Sequence, residues 1–295
     1  MTPGAGTDTD GTEAELAEIR AMLSEGLAEA GGGHRALLRL TDEELAVIDP
    51  GATEGALVPS PHLANLSETE RELVVATALR SLVSRELIEV DDIDELEELM
   101  RRQEAEQAAA GEGASLRQRT PVSIRMADEA ALVLNLRRHA ERLLSVELAT
   151  SGGASHACVY VHAADLFLVE RVTSGGLHLF TLTNDREAAA GLIQASVDPF
   201  GVAAKDGSPL PLDPHALDRD SVPAPLRRVI DDALVVGRLM LLADEPGPLV
   251  TTYATERELW SVVVEAPQSP EGIVARAHGT RSLGALISRL LELPQ

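Results

Sequence analysis

Leu16, Ile19, Leu23 and Leu27 recur at intervals of three and four, which places them on one face of a helix. Thr12 and Glu15 form a capping-box pattern ahead of them, and Gly31-Gly32-Gly33 ends the run. Thr41 with Glu44 and Ser67 with Glu70 repeat the box. The first opens a brief helix stopped by Pro50-Gly51, and the second opens a helix carrying Leu73, Val74, Leu79, Leu82 and Val83. Ile93, Leu96, Leu99 and Met100 continue at helical spacing among Asp91, Asp92, Asp94, Glu95, Glu97 and Glu98, which reads as a solvated acidic face beside a core-facing stripe. The first hundred residues therefore predict a mainly helical region.

Beyond the Ala-, Gly- and Gln-rich stretch around 103–119 the period changes. Residues 122–136 read as a strand followed by a helix. Leu144, Val146 and Leu148 alternate with Ser145 and Glu147, and Cys158, Tyr160 and His162 recur at every second position, as in a strand. Apolar runs at 166–172 and 177–182, separated by Ser174-Gly175-Gly176, complete an antiparallel meander, and a helix at 186–197 follows. The pattern recurs 93 residues later: Tyr160 followed by Asp165-Leu166-Phe167 matches Tyr253 followed by Glu258-Leu259-Trp260. After each match come a strand, a turn (Ser174-Gly175-Gly176 or Gln268-Ser269-Pro270-Glu271-Gly272), another strand and a helix, REAAAGLI from Arg186 and TRSLGALI from Thr280. A Pro/Asp-rich loop at 206–225 and an apolar helix at 226–242 are expected between them.

The expected fold is α+β, a helical N-terminal part followed by two related antiparallel sheet-plus-helix units in a pseudo-twofold arrangement. The domain reading is a disordered tail at 1–11, a mainly helical region at 12–103, a linker at 104–119, and an α/β region at 120–295 with βββα-like units at about 143–197 and 248–293. A chain of 295 residues buries a core large enough to fold without disulfides or metals.

Charge narrows the function. The net charge of −23 repels phosphate, so nucleic acid is a disfavoured partner. Lysine occurs once, at Lys205, so arginine makes up the rest of the 25 basic residues. Aromatic residues are 2% of the chain, too few for stacking platforms. Nothing reads as a secretion signal or membrane span, so no membrane insertion and a cytoplasmic location are expected.

No chemical constellation emerges. The histidines at 34, 62, 139, 156, 162, 178, 215 and 278 are scattered; His156 and His162 would share a strand face, with Asp165 the nearest acid, which falls short of a zinc set. Cys158, the single cysteine, sits in an alternating apolar run and reads as a buried, inert thiol. Phosphate-loop, dinucleotide and G-x-S-x-G patterns are absent. Phe167 and Trp260, at matched positions, read as core packing rather than interface anchors. No catalytic, cofactor or metal residue is expected, and the chain is read as a non-enzyme whose partner-binding residues and oligomeric state are not legible.

Taken together, the helix at 67–85 leading to Glu86-Leu87-Ile88, the meander from Ala157 to Thr183, Asp198-Pro199-Phe200-Gly201, and the closing strand and helix from Gly272 to Leu293 resemble the EspG-type chaperones of actinobacterial type VII secretion. The resemblance spans most of residues 36–295. It implies a cytosolic chaperone that holds the exposed apolar end of a helical secretion substrate, as these chaperones do with PE and PPE proteins. A second reading remains open. The helix, arginine-dotted turn and short strand at 66–90, with Arg80 and Arg85, match the recognition part of a winged helix, which would make the chain a transcriptional regulator with a C-terminal sensing or dimerisation domain.

Overall fold

Alternation of apolar and polar residues builds the dominant element. In the computed structural model, which describes residues 21–23, 25–27, 33–49, 58, 60–90, 124–163, 165–214, 221–243, 247–268 and 272–292, ten strands form one antiparallel sheet. In chain order the elements are β1 (His34–Thr41), α1 (Asp42–Ile48), a 3₁₀ turn (Leu63–Asn65), α2 (Glu68–Ser84), β2 (Ile88–Val90), β3 (Ile124–Met126) and α3 (Asp128–Arg138). The meander follows as β4 (Arg142–Thr150), β5 (Gly153–His162), β6 (Leu166–Val172), β7 (Leu177–Thr183) and α4 (Arg186–Val197). The remainder is β8 (Leu210–Leu212), α5 (Ala224–Asp231), β9 (Val235–Leu242), β10 (Leu249–Ala254), β11 (Leu259–Val264), β12 (Ile273–Ala277) and α6 (Thr280–Leu290). The large sheet runs β1-β7-β6-β5-β4-β9-β10-β11-β12-β8, and β2 and β3 pair separately. This is an α+β fold built on an antiparallel sheet.

The capping boxes at Thr41/Glu44 and Ser67/Glu70 both form. Each hydroxyl accepts from the N3 backbone N–H while the N3 carboxylate accepts from the cap's own N–H, satisfying two otherwise orphaned donors. Residues 21–23 and 25–27 are helical, with Leu23 and Leu27 packed on the core as their spacing predicts. The strand-then-helix reading of 122–136, the meander, and the helices from Arg186 and Thr280 are likewise present. The readings at 1–11, 91–100 and 104–119 lie outside the described residues.

Two sequence expectations are corrected. Residues 226–242 are not one helix. Helix α5 ends at Asp231, and β9 follows with Val235, Gly237, Leu239 and Leu241 buried and the residues between them half-exposed or exposed. The apolar run fits either period, and pairing on both edges, with β4 and with β10, selects the strand because it satisfies every backbone group there. The first hundred residues also include β1, which joins the edge of the large sheet beside β7. Only Leu38 and Leu40 of β1 are buried, so its alternation is too short to read from sequence.

Side-chain alternation gives the sheet two faces. On the first, Leu144, Val146, Val159, Phe167, Leu239, Val250 and Leu259 pack beneath α4 and α6 in one core that spans both halves. On the second, Leu143, Cys158, Tyr160, Leu168 and Phe180 pack against Leu45 and Ile48 of α1, Leu82 of α2 and Val133 and Leu134 of α3. That second core ends at β4 and β9, because α1, α2 and α3 cover the β4–β7 half alone.

Candidate functional site

The second core holds a closed network of charges. His178 on β7 places Nε2 2.7 Å from Asp42 Oδ1 and Nδ1 2.6 Å from Glu170 Oε1. The Tyr160 hydroxyl donates to Glu170 Oε2 at 2.7 Å, and Arg137 Nε donates to the same oxygen at 3.1 Å. Asp49 then accepts from Arg137 Nη1 at 3.0 Å and from Arg138 Nη2 at 2.7 Å. Asp42, Asp49 and Glu170 thus face Arg137, Arg138 and His178.

Burial by itself would raise the Glu170 pKa, but the Arg137 charge and the bonds from His178 and Tyr160 outweigh it and hold the carboxyl below its ordinary range. Burial would lower His178, but its bonds to Asp42 and Glu170 prevail and raise it, favouring the imidazolium. Asp42, Glu170 and His178 are wholly buried, and both ring nitrogens of His178 and all four carboxylate oxygens have a partner, Tyr160, Arg137 and the His62 backbone N–H supplying the rest. The arrangement therefore locks α1 and α3 onto the sheet, since one buried charge left without its partner would carry the full desolvation penalty.

The first turn of α1 is held further. Glu44, already the N3 acid of a capping box, accepts from Arg85 at 2.8 and 2.6 Å and from Ser81 at 2.7 Å, while Arg85 Nη2 donates to the Arg39 carbonyl at 2.7 Å. Asp42 N donates to the Gly176 carbonyl at 2.9 Å and Asp42 Oδ2 accepts from His62 N at 2.6 Å. Gly176 has φ +73°, and a Cβ there would strike the Asp42 carboxylate, so glycine is required twice over at this turn.

A second polar cluster lies at the far half. Ser261 Oγ is 2.7 Å from His278 Nε2, and His278 Nδ1 is 3.0 Å from Ser282 Oγ. Ser282 in turn donates to Asp206 Oδ1, which also accepts from Gly279 N at 2.9 Å. Burial first, and then the Arg276 charge, push His278 down to about 4, so the ring is neutral at pH 7. Although the order resembles a nucleophilic relay, Ser261 is fully buried on β11, so no substrate reaches its oxygen. The cluster pins the N-terminus of α6 to β11 and to the loop at 206.

The sequence-singled residues fall as follows. His156 and His162 share a face of β5, as their even separation requires. Among the described residues no group of three His, Cys, Asp or Glu could hold a metal ion. Cys158 is buried, and burial followed by the Glu170 charge pushes its thiol up. Phe167 is core, beneath α4. Trp260 is not its counterpart: Tyr160 lies opposite Leu168, whereas Tyr253 lies opposite Trp260, so Trp260 sits on the other face and is half-buried.

That face is the feature the sequence does not reveal. Val236 and Met240 on β9, Tyr253 on β10, and Trp260 and Val262 on β11 line up through their cross-strand pairs on the side away from α4 and α6, and not one of them is buried. Met240 is 43% exposed, and Leu234, just before β9, is 45% exposed. Arg238 rises from the middle of the face and pairs with Glu147 across β4 at 3.3 Å. Apolar side chains left half-buried or exposed on one sheet face make it a candidate interaction surface.

No family model and no curated protein sequence matches this chain. None of the described helices is long and apolar enough to cross a membrane.

Proposed function

We propose that this chain is a non-catalytic, protein-binding adaptor of the cytoplasm, a chaperone of the EspG type that holds a helical secretion substrate until export. The observation that carries the reading is the set of half-exposed apolar side chains on β9–β11, with Met240 and Leu234 exposed among them.

The pseudo-twofold organisation belongs to the same proposal, with its repeating unit enlarged to helix, four strands, helix. Helix α3 with β4–β7 and α4, and α5 with β9–β12 and α6, follow the same order. At their junction β4 and β9 pair antiparallel with Val146 opposite Leu239, two residues separated by the same 93 positions that relate Tyr160 to Tyr253. A dyad passing between Val146 and Leu239 accounts for that coincidence. Gly176 ahead of β7 and Gly272 ahead of β12 both have φ +73°.

Purification of the tagged chain from its native cytosol after nuclease treatment tests the function. A stoichiometric small helical protein, lost when Val262 is changed to Glu, is the expected result; recovery of DNA-dependent material alone sinks the reading. One observation favours the regulator alternative: α2 runs into β2, which pairs antiparallel with β3, as a recognition helix is followed by a strand pair in a winged helix. Against it, Arg85 is spent on Glu44 and the Arg39 carbonyl rather than offered to phosphate. Salt-sensitive binding to duplex DNA, weakened by Arg80→Ala, would establish that alternative.

A further inference from the structure

Three acids tie α1 to the rest of the protein. Asp42 opens the helix, Glu44 is its third residue and Asp49 caps its end. Each is buried, and each meets a cation from another element: Asp42 meets His178 on β7, Glu44 meets Arg85 just after α2, and Asp49 meets Arg137 and Arg138 at the end of α3. Arginine keeps its charge throughout the range in which proteins stay folded, so among these cations only His178 can lose it. Geometry fixes the proton count at that point. His178 Nε2 lies 2.7 Å from Asp42 Oδ1 and Nδ1 lies 2.6 Å from Glu170 Oε1. Ionised carboxylates only accept and a neutral imidazole has one N–H, so the two contacts together require hydrogen on both ring nitrogens.

The groups around this ring are Asp42 from α1, Glu170 from β6, Tyr160 and Cys158 from β5 and Arg137 from α3, with Phe180 stacked beside the imidazole and Glu43 paired with His62 outside Asp42. Burial followed by the Glu170 charge pushes both the Tyr160 hydroxyl and the Cys158 thiol up, so His178 gives up its proton before either of them. Its loss leaves Asp42, Asp49 and Glu170 facing Arg137 and Arg138, with one buried negative charge in excess. The two carboxylates beside His178 differ in how water can reach them. Glu170 lies within β6, paired on both sides with β5 and β7, and keeps its bonds from Arg137 and Tyr160. Asp42 stands at the corner where β1, the end strand of the sheet, turns into α1, and its other ties are two backbone bonds, from its N–H to the Gly176 carbonyl and from the His62 N–H to Oδ2. Moving Asp42 to water therefore costs less than moving Glu170.

We infer that Asp42 and His178 form a pH-operated latch: when His178 loses its proton, the first turn of α1 parts from the sheet together with its bonds to His62 and Gly176, and the second core opens there while the β9–β12 half stays folded. The folded value of His178 is raised, so the latch is closed below the ordinary histidine value of 6.5 and opens as pH rises through the raised one.

NMR of ring-labelled histidine locates the His178 titration, identified by the signal missing from His178→Gln. Labelling of Cys158 by a disulfide reagent, divided by the rate for the urea-unfolded chain at the same pH, reads the opening. In the full-length protein this ratio is expected to be flat below the His178 titration and to climb by roughly tenfold per pH unit above it, as release of one proton requires. The emission maximum of Trp260, the only tryptophan, should hold steady over the same range because it reports β11. Asp42→Asn, which has no charge for the latch to hold, should show a ratio already raised at neutral pH that no longer climbs. A flat wild-type ratio across the His178 titration would overturn the latch, and so would a His178 ring that does not titrate between about pH 5 and about pH 10. An Asp42→Asn ratio that climbs as the wild type does would place the responsible proton elsewhere and overturn it as well. A Trp260 shift at the same midpoint would show the whole chain unfolding rather than a local opening, with the same consequence.

Discussion

His178 on β7 and Asp42 at the first position of α1, far apart in sequence, meet at 2.7 Å inside the protein, and neither side chain reaches solvent. Because burial has been overcome by two carboxylates, the folded state holds the His178 proton more tightly than the unfolded chain does. The sign follows: the pair's contribution is fully present below the ordinary histidine value of 6.5 and is lost as pH rises through the raised folded value. Asp42→Asn should cost about 3 kcal/mol in urea unfolding near neutral pH. The gap between wild type and His178→Gln should narrow as the solution is made alkaline; a gap independent of pH would show that His178 is uncharged in the folded state.

His278 behaves in the opposite sense. Its folded value near 4 means that the unfolded chain takes up this proton first, so acidification from 6.5 toward 4 works against the fold. A histidine NMR titration should find one ring that stays neutral until about pH 4. His278→Gln should flatten the acid limb of the stability profile over that interval, leaving the alkaline limb untouched.

Gly237 sits in β9 opposite Thr252, and a Cβ on it would drive into the Thr252 hydroxyl and press Leu148 and Val197. Gly237→Ala should therefore destabilise by about 2 kcal/mol through overpacking, despite alanine's lower unfolded-state entropy. Thr252→Ala in the same chain removes the nearest obstacle, so the double mutant should recover part of the loss in a denaturation cycle. Simple addition of the two costs would place the strain elsewhere.

Cys158, the single cysteine, lies under α1 and α3 with its thiol pushed up by burial. A disulfide reagent should label it only as fast as the second core opens. Asp42→Asn, which loosens α1, should speed labelling by at least tenfold, whereas Met240→Glu on the distant face should not change it.

Local chemistry made much of this fold readable. Thr41/Glu44 and Ser67/Glu70 specify helix starts because both members of each box lie within one turn, and Arg186 and Thr280 open helices as their matched sequences indicate. Residues 226–242 were misleading because VVGRLMLL satisfies a helical stripe and a strand alternation alike, and its neighbours β4 and β10 decide between them. Trp260 was misplaced by one residue because identity of spacing does not fix which side of a pleat a side chain takes, and a one-residue slip changes the face.

Sequence alone thus determined the α+β class, the meander, the caps and the strong negative charge, since each depends on residues within a turn or a strand of one another or on composition. The tertiary structure decided the rest. It brought Asp42, Asp49, Arg137, Glu170 and His178 into one buried network, set β1 at the sheet edge, paired Val146 with Leu239, and covered the β4–β7 half with helices while leaving Trp260 and Met240 half-exposed or exposed on the other. Those outcomes depend on which distant elements meet, and the energy of burial that selects among such meetings belongs to the assembled sheet rather than to any one segment.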